Sequence, residues 1–395
     1  MSGPERVGST VLPHEAHVAA LACLEGVGPA RLRWLLGLGP PQEVWERVSA
    51  GRLPRRSAAS PPIDDQLRSS WVDHARRIDP AALWRRCVEG GIGVVTLGAA
   101  GYPVALADDP EPPVVLFHRG DPDVLVGPRV AIVGTRRATG YGRRHAADFA
   151  EQLSAAGVSV VSGLALGIDA AAHAGAVRAD AAPPVGIVGA GLDAPCPRRN
   201  LELAEQVARR GVLLSEVPPG VGAAPWRFPV RNRVIAALAD AVVVIESPGA
   251  GGSMHTVREA LARDRAVLAM PGPIDSPASE GTIGLIADGA GVCARVEDIL
   301  AAIGHVAPSG AAVSDRRSVE ERPEPHGAAA AVLERVGWRP LSVEQLAREC
   351  GLGFVEVAAA LAQLESAGWV ERHDGWVERV ARGRGRVRGD GGHRA

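Results

Sequence analysis

The chain has 395 residues, 46% of them apolar and 22% charged, with a formal net charge of −2. That length and ordinary globular composition predict two or three domains, and the charge excludes a general electrostatic drive toward nucleic acid, so any such binding needs a local patch. All 43 basic residues are arginines, a bias that GC-rich coding explains, although arginine's planar fork also grips phosphate and stacks on bases.

Residues from about 14 to 50 read as helical, in an N-terminal module that runs with its linker over 10–75. The stretch L-E-G-V-G-P-A-R-L-R-W-L-L from Leu24 places Gly26 and Gly28 in a turn and Arg31 and Arg33 at the opening of the next helix. Two readings stand open. A helix-hairpin-helix (SAM-like) module would offer backbone N–H groups to a phosphate there, and an ordinary helical hairpin would use the same glycines as caps. His14 and His17 lack nearby partners and read as part of a polar helix. Residues 51–66, rich in Pro, Ser and Arg, read as a linker.

The core, 90–304, alternates short apolar runs with amphipathic segments. Strands are legible at Val130–Val133, Val158–Val161, Val185–Val188, Val212–Leu214, Ala241–Ile245 and Ala266–Ala269, with helices beginning near Gly142, Ile168, Asn200, Arg231, Ser253 and Val296. This pattern predicts an α/β fold with an extended Rossmann-like parallel sheet covered on both faces. Glycine-containing turns follow several strands: V-A-I-V-G-T-R-R from Val130, S-G-L-A-L-G-I-D from Ser162, E-S-P-G-A-G-G-S from Glu246 and M-P-G from Met270. Their repetition marks the sheet edge where ligands bind, and the ligand expected is an anion bearing phosphates.

Arg136 and Arg137 follow a strand end directly and project over that site. Asn232, between Arg231 and Arg233, lies near Phe228 and Trp226, and arginines mixed with aromatics suit a single nucleic-acid strand. Alternatively, Arg231 and Arg233 pair with acids such as Glu216 or Glu246 and brace the loops. Asp169 and His173, at i and i+4, read as a helix cap and a buried histidine in preference to a ligand pair.

Residues 305–327 are polar and punctuated by proline, and read as a flexible tether. Residues 328–380 then give three helices and a hairpin around Asp374-Gly375, the layout of a winged helix. The tail, 381–395, is basic and reads as disordered. The five cysteines (Cys23, Cys87, Cys196, Cys293, Cys350) are odd in number and dispersed, which argues against a disulfide framework or a cysteine-ligated zinc. A signal-peptide pattern and a membrane-spanning apolar run are both missing from the sequence, so a cytoplasmic protein without membrane insertion is expected.

The motifs V-G-T-R-R-A-T-G-Y-G (Val133–Gly142), S-G-L-A-L-G-I-D-A-A-A-H (Ser162–His173), G-A-G-L-D-A-P-C-P-R-R-N (Gly189–Asn200), F-P-V-R-N-R-V-I (Phe228–Ile235), G-G-S-M-H-T (Gly251–Thr256) and M-P-G (Met270–Gly272) together resemble the bacterial DNA-processing protein A (DprA, or Smf) family over roughly 95–300. The resemblance implies a dimer that binds and protects single-stranded DNA and loads the RecA recombinase onto it in recombination and natural transformation. It implies no catalytic step, cofactor or metal. Carried onto this chain, the phosphate-gripping arginine falls on Arg136 and the next basic position on Arg198. An R-N-R turn falls on Arg231, Asn232 and Arg233, and the helix-opening pair on Gly252 and Ser253. With neighbouring loop positions, the expected DNA-binding set is Gly134, Thr135, Arg136, Arg137, Gly163, Arg198, Asn200, Arg231, Asn232, Arg233, Gly252 and Ser253. Leu166 stands where many members have a basic residue, and Cys196 where tyrosine is usual.

Two other classes compete. S-P-G-A-G-G-S-M-H-T-V-R-E (Ser247–Glu259) resembles the phosphate turn of lysine-decarboxylase-like nucleotide phosphoribohydrolases, which would make Glu259 catalytic, but the spacing is imperfect. A dehydrogenase is disfavoured because G-x-G-x-x-G is absent after the first strand. A winged-helix transcription regulator would need base-reading side chains, yet Phe354–Ala367 has no Arg or Lys and carries Glu356 and Glu365.

Overall fold

Runs of valine, isoleucine and alanine only four or five residues long build the centre of the molecule, because strands buried on both faces need no polar alternation. The computed structural model describes residues 12–54, 61–194, 197–305, 323–336, 341–373 and 375–379. The chain divides into two units, one up to Pro308 and one from Ser309.

The first unit opens with five helices: α1 (His14–Ala22), α2 (Pro29–Leu36), α3 (Pro41–Ser49), α4 (Asp65–Arg77) and α5 (Pro80–Glu89). Proline at the first position starts α2, α3 and α5, where its missing N–H costs nothing. Asp64 caps α4 by accepting the Leu67 N–H at 2.7 Å. Trp71 is fully buried, and its indole N–H donates to the Glu25 carbonyl at 2.8 Å, tying α4 to the α1–α2 turn. Apolar residues of these helices, among them Leu21, Leu35 and Val44, form one continuous cluster with Phe117, Val207 and Leu213 of the sheet region. Helical module and sheet therefore share a core.

The sheet and its crossovers follow in order: β1 (Gly93–Thr96), α6 (Val104–Ala107), β2 (Val115–Gly120), β3 (Arg129–Val133), α7 (Gly140–Ala155), β4 (Ser159–Ser162), α8 (Ile168–Ala179), β5 (Val185–Ile187), α9 (Leu201–Arg210) and β6 (Val212–Ser215). The chain continues through α10 (Arg227–Leu238), β7 (Ala241–Val244), α11 (Ser253–Leu261), β8 (Ala266–Ala269), α12 (Glu280–Ala287), β9 (Gly291–Val292) and α13 (Val296–Ala302). Nine strands lie in the order β1-β2-β6-β5-β4-β3-β7-β8-β9. From β6 to β9 all neighbours are parallel, whereas β1–β2 and β2–β6 are antiparallel. Strands β4 to β6 spread to one side of β3, and β7 returns to its other side, pairing Val133 with Val244. This reversal creates a topological switch point between β3 and β7, the place where open α/β sheets receive ligands.

The six strands expected from the sequence are present within a residue or two at each end. β1, β2 and β9 are additional, as is α12. The expected Rossmann-like parallel sheet is present, extended at one margin by the antiparallel strands β1 and β2. One correction concerns α10, which begins at Arg227 and places Arg231, Asn232 and Arg233 inside a helix, not in a turn or at a helix start.

The second unit contains α14 (Ala328–Arg335), β10 (Leu341–Ser342), α15 (Val343–Cys350), α16 (Phe354–Ser366), β11 (Val370–His373) and β12 (Trp376–Arg379), with strand order β10-β12-β11. Ser342 and Gln345 form a reciprocal capping box at the start of α15. Val332, Leu346, Leu361 and Val377 centre a separate core, completing a winged helix. Asp374, most of the expected tether and the basic tail lie outside the described residues.

Candidate nucleic-acid interface

The β3 and β7 ends are locked together before any ligand is considered. Gly134 has no room for a side chain, since a Cβ there would lie 2.5 Å from the Ile168 side chain and 2.8 Å from the Glu246 carbonyl oxygen. The Thr135 N–H donates to that same carbonyl at 2.7 Å. Thr139 caps α7, its hydroxyl oxygen accepting the Gly142 N–H at 3.1 Å. Its own N–H and hydroxyl donate to the buried Glu246 carboxylate at 2.9 and 2.5 Å. The first crossover helix thus already has an internal carboxylate at its N-terminus, where dinucleotide-binding folds hold a diphosphate.

Arg136 and Arg137 emerge from this locked turn and are exposed. The Arg136 guanidinium lies over the Phe228 ring, 4.7 Å from its centroid. The ring attracts the cation and leaves charge and a flat surface side by side. Arg198 is also exposed, in a short helical turn before α9. Cys196 lies outside the described residues, and Leu166 is partly exposed on the β4 loop.

The β4 loop is held from below. Leu164 takes φ +53°, a left-handed conformation that costs free energy for a branched residue and persists only when its surroundings enforce it. The Asn200 amide supplies that enforcement by donating to the Leu164 and Ala165 carbonyls at 2.8 and 3.2 Å. Arg231 donates to the Gly163 carbonyl at 2.7 Å and also to that of Ile187. Gly163 in turn donates its N–H to Asp169 at 3.1 Å. Burial pushes the Asp169 carboxyl up, against the opposing pull of the Arg231 charge. So Asp169 sits in the first turn of α8 and supports the preceding loop, while the N-cap position belongs to Gly167.

Arg233 is buried and pairs with Glu216 at 2.5 Å while donating to the Glu111 carbonyl. Burial raises the Glu216 carboxyl, and the Arg233 charge works against that rise. The bracing alternative thus describes Arg233, and Arg231 braces the β4 loop through backbone carbonyls. Asn232 is half-buried and donates to the Gly252 carbonyl at 3.4 Å, linking α10 to the β7 turn. Ser253 is buried and donates to the Ser247 hydroxyl at 2.7 Å, whereas Gly252 is exposed with open space beside it. Sequence reasoning missed Thr139 and the capping role of Glu246. The signal available was a threonine one residue before a glycine-rich helix start.

Glu259 does not face a free site. It pairs with Arg263 at 2.6 Å, and Arg263 also holds the buried Asp109 at 2.6 Å. His173 is fully buried with neither ring nitrogen hydrogen-bonded, and burial pushes its pKa down to about 4. Among the described residues no group of three or more His, Cys, Asp or Glu could hold a metal ion. Nor is any helix among them long and apolar enough to cross a membrane.

Sheet order and switch-point loops define a doubly wound α/β protein with an arginine–aromatic surface where such folds receive anions. Residues 93–304 match the family described as DNA recombination-mediator protein A, and 317–375 match the DprA winged helix domain. The chain belongs to the DNA recombination-mediator protein A (DprA/Smf) family, whose members are in general non-catalytic mediators acting in DNA processing. It is 38% identical over 212 residues to DNA processing protein DprA of Bacillus subtilis, covering 53% of this chain and 71% of that one. It is 40% identical over 274 residues to the putative DNA processing protein DprA of Mycobacterium tuberculosis, covering 67% and 68%. The X-ray structure of DNA processing protein A from Streptococcus pneumoniae superposes with a TM-score of 0.60 at 27% identity, covering 74% of this chain and 98% of that one.

Proposed function

We propose that this chain binds single-stranded DNA along the β3–β7 edge of its sheet and, as a cytoplasmic homodimer, delivers the strand to the RecA recombinase without cofactor or catalytic step. The observation that carries the reading is the exposed Arg136 guanidinium held 4.7 Å over the Phe228 ring at the switch point. A single strand needs charge for its phosphates and flat partners for its unstacked bases, and this pair supplies both. Arg137, Arg198 and the backbone at Gly252 extend the surface. Gly134, Thr135, Gly163, Asn200, Arg231, Asn232, Arg233 and Ser253 hold its loops in place. Delivery to RecA and dimerisation rest on the family resemblance.

The test is affinity for single- and double-stranded oligonucleotides of equal length at two salt concentrations. Tighter single-strand binding is expected, with roughly −0.7 in the slope of log K against log salt for each phosphate contacted. Equal or tighter duplex binding would favour the winged-helix regulator. Absence of binding, together with release of free base from nucleoside monophosphates, would favour the phosphoribohydrolase.

A further inference from the structure

A cavity of about 700 Å³ lies between the α1–α2 turn and the carboxyl ends of β5 and β6, within the range of small-ligand sites. One wall is the Gly26-Val27-Gly28 turn and the other is largely aliphatic, with Val188, Leu214, Val217 and Val230 among its residues. Trp226 also lines it, 59% exposed, with the Arg227 guanidinium 4.8 Å from its ring centroid. The charged groups at its floor are already committed, Arg231 to the Gly163 and Ile187 carbonyls and Glu216 to Arg233. Of the other charged residues that line it, Glu25 accepts from the Ser70 hydroxyl, and Arg227, besides lying over Trp226, donates to the Gly222 carbonyl. A flat, mostly apolar group with polar edges fits the cavity's chemistry.

The cavity adjoins the Arg136 site through the start of α10. Phe228 and Trp226 are two residues apart, a spacing that sends helical side chains to different sides. Phe228 carries Arg136, while Trp226 faces the cavity. Gly189 lines the cavity and also abuts Phe228, a Cβ there standing 3.6 Å from the ring. A strand gripped at Arg136 and running over the start of α10 would meet Trp226 at the cavity mouth.

We propose that this cavity is a nucleobase pocket shared by the N-terminal helical module and the sheet, holding one base inserted from the bound strand. The proposal rests on the single-strand reading. Its test uses the full chain with an oligothymidylate and an equal-length oligomer carrying abasic sites. The wild type should prefer the thymidylate at least tenfold, the size of one base–aromatic stack. Trp226→Ala should cut that preference about tenfold, and so should Val230→Trp, which fills the mouth from a position 38% exposed. Neither variant should change abasic-strand affinity or thermal unfolding. If the preference is absent, or persists in both variants, the pocket assignment fails and single-strand binding stands. If the wild type binds neither oligomer, both readings fall.

Discussion

The Arg231 guanidinium donates to the Gly163 carbonyl oxygen at 2.7 Å from the middle of a helix, so a residue that reads as a phosphate contact supports the underside of the β4 loop. A side chain at Gly163 would collide with that guanidinium. Sequence position near the ligand edge and solvent access have separated here.

Two arginines should therefore fail in different ways. Arg136→Ala should leave thermal unfolding unchanged, weaken all single-strand sequences alike and flatten the salt slope by about 0.7. Arg231→Ala should orphan two buried carbonyls and lose stability, by about 2–6 kcal/mol at ~1–3 per buried group, with affinity falling alongside. Chemical denaturation and salt-dependent binding of both variants check this. An Arg231→Ala protein of normal stability that had lost strand affinity would make Arg231 a direct contact.

The Asp109–Arg263 pair is 3% and 6% exposed and joins α11 to the segment after α6. Asp109→Ala removes two charge-assisted hydrogen bonds from Arg263 and leaves it compensated only by the partly exposed Glu259, so it should cost about 1–3 kcal/mol in urea unfolding. Glu259 is 37% exposed and reaches the same arginine, so Glu259→Ala should cost no more than about 1 kcal/mol. The same Glu259→Ala variant should bind single strands as the wild type does. A large loss of binding there would revive a ligand role for Glu259.

Much of the sheet was legible because strands buried on both faces leave near-continuous apolar runs. β2, V-L-F-H-R-G, and β1 were not, because an antiparallel margin tolerates polar residues and takes its register from a neighbour. Two-residue β9 carries too little pattern to read. The exposed position of Arg136 beside the switch point was legible because it lies in the turn after a strand. Arg231 and Arg233 misled because a local R-N-R string looks like a turn, while α10 is set by packing of Val234, Ile235 and Leu238 on the sheet. Their partners, Gly163, Ile187, Glu111 and Glu216, lie far away in sequence and leave no local trace.

His173 gives a pH dependence. Its folded pKa is lowered to about 4 from an ordinary 6.5, with burial as the cause. Between those values the unfolded chain binds a proton that the folded chain does not. The stability His173 supports is thus fully present above pH 6.5 and is lost as pH falls toward 4, by at most roughly 3 kcal/mol. Asp169 and Glu216, whose pKa values burial raises, act in the opposite sense, so the wild type should be compared with His173→Leu. The difference in unfolding free energy between the two should change across pH 6.5 to 4. A constant difference would place the His173 charge change elsewhere.

A chain ending at Gly304 should fold and keep most single-strand affinity. The last helix of the first unit, α13, contributes Val296, Ile299 and Leu300 to the sheet's own core, and the winged helix has a core of its own. The winged helix's α16 offers no arginine to a groove, so its loss should remove little. The segment from Arg382 carries five arginines against one aspartate and could add non-specific phosphate contacts, which shorten both affinity and salt slope when deleted. A second chain ending at Val380 separates that contribution from the winged helix itself. Circular dichroism establishes folding, and titration with an oligothymidylate at two salt concentrations compares the three lengths. If the chain ending at Gly304 is folded yet has lost most affinity while the chain ending at Val380 retains it, the winged helix is the main binding module and the switch-point assignment fails.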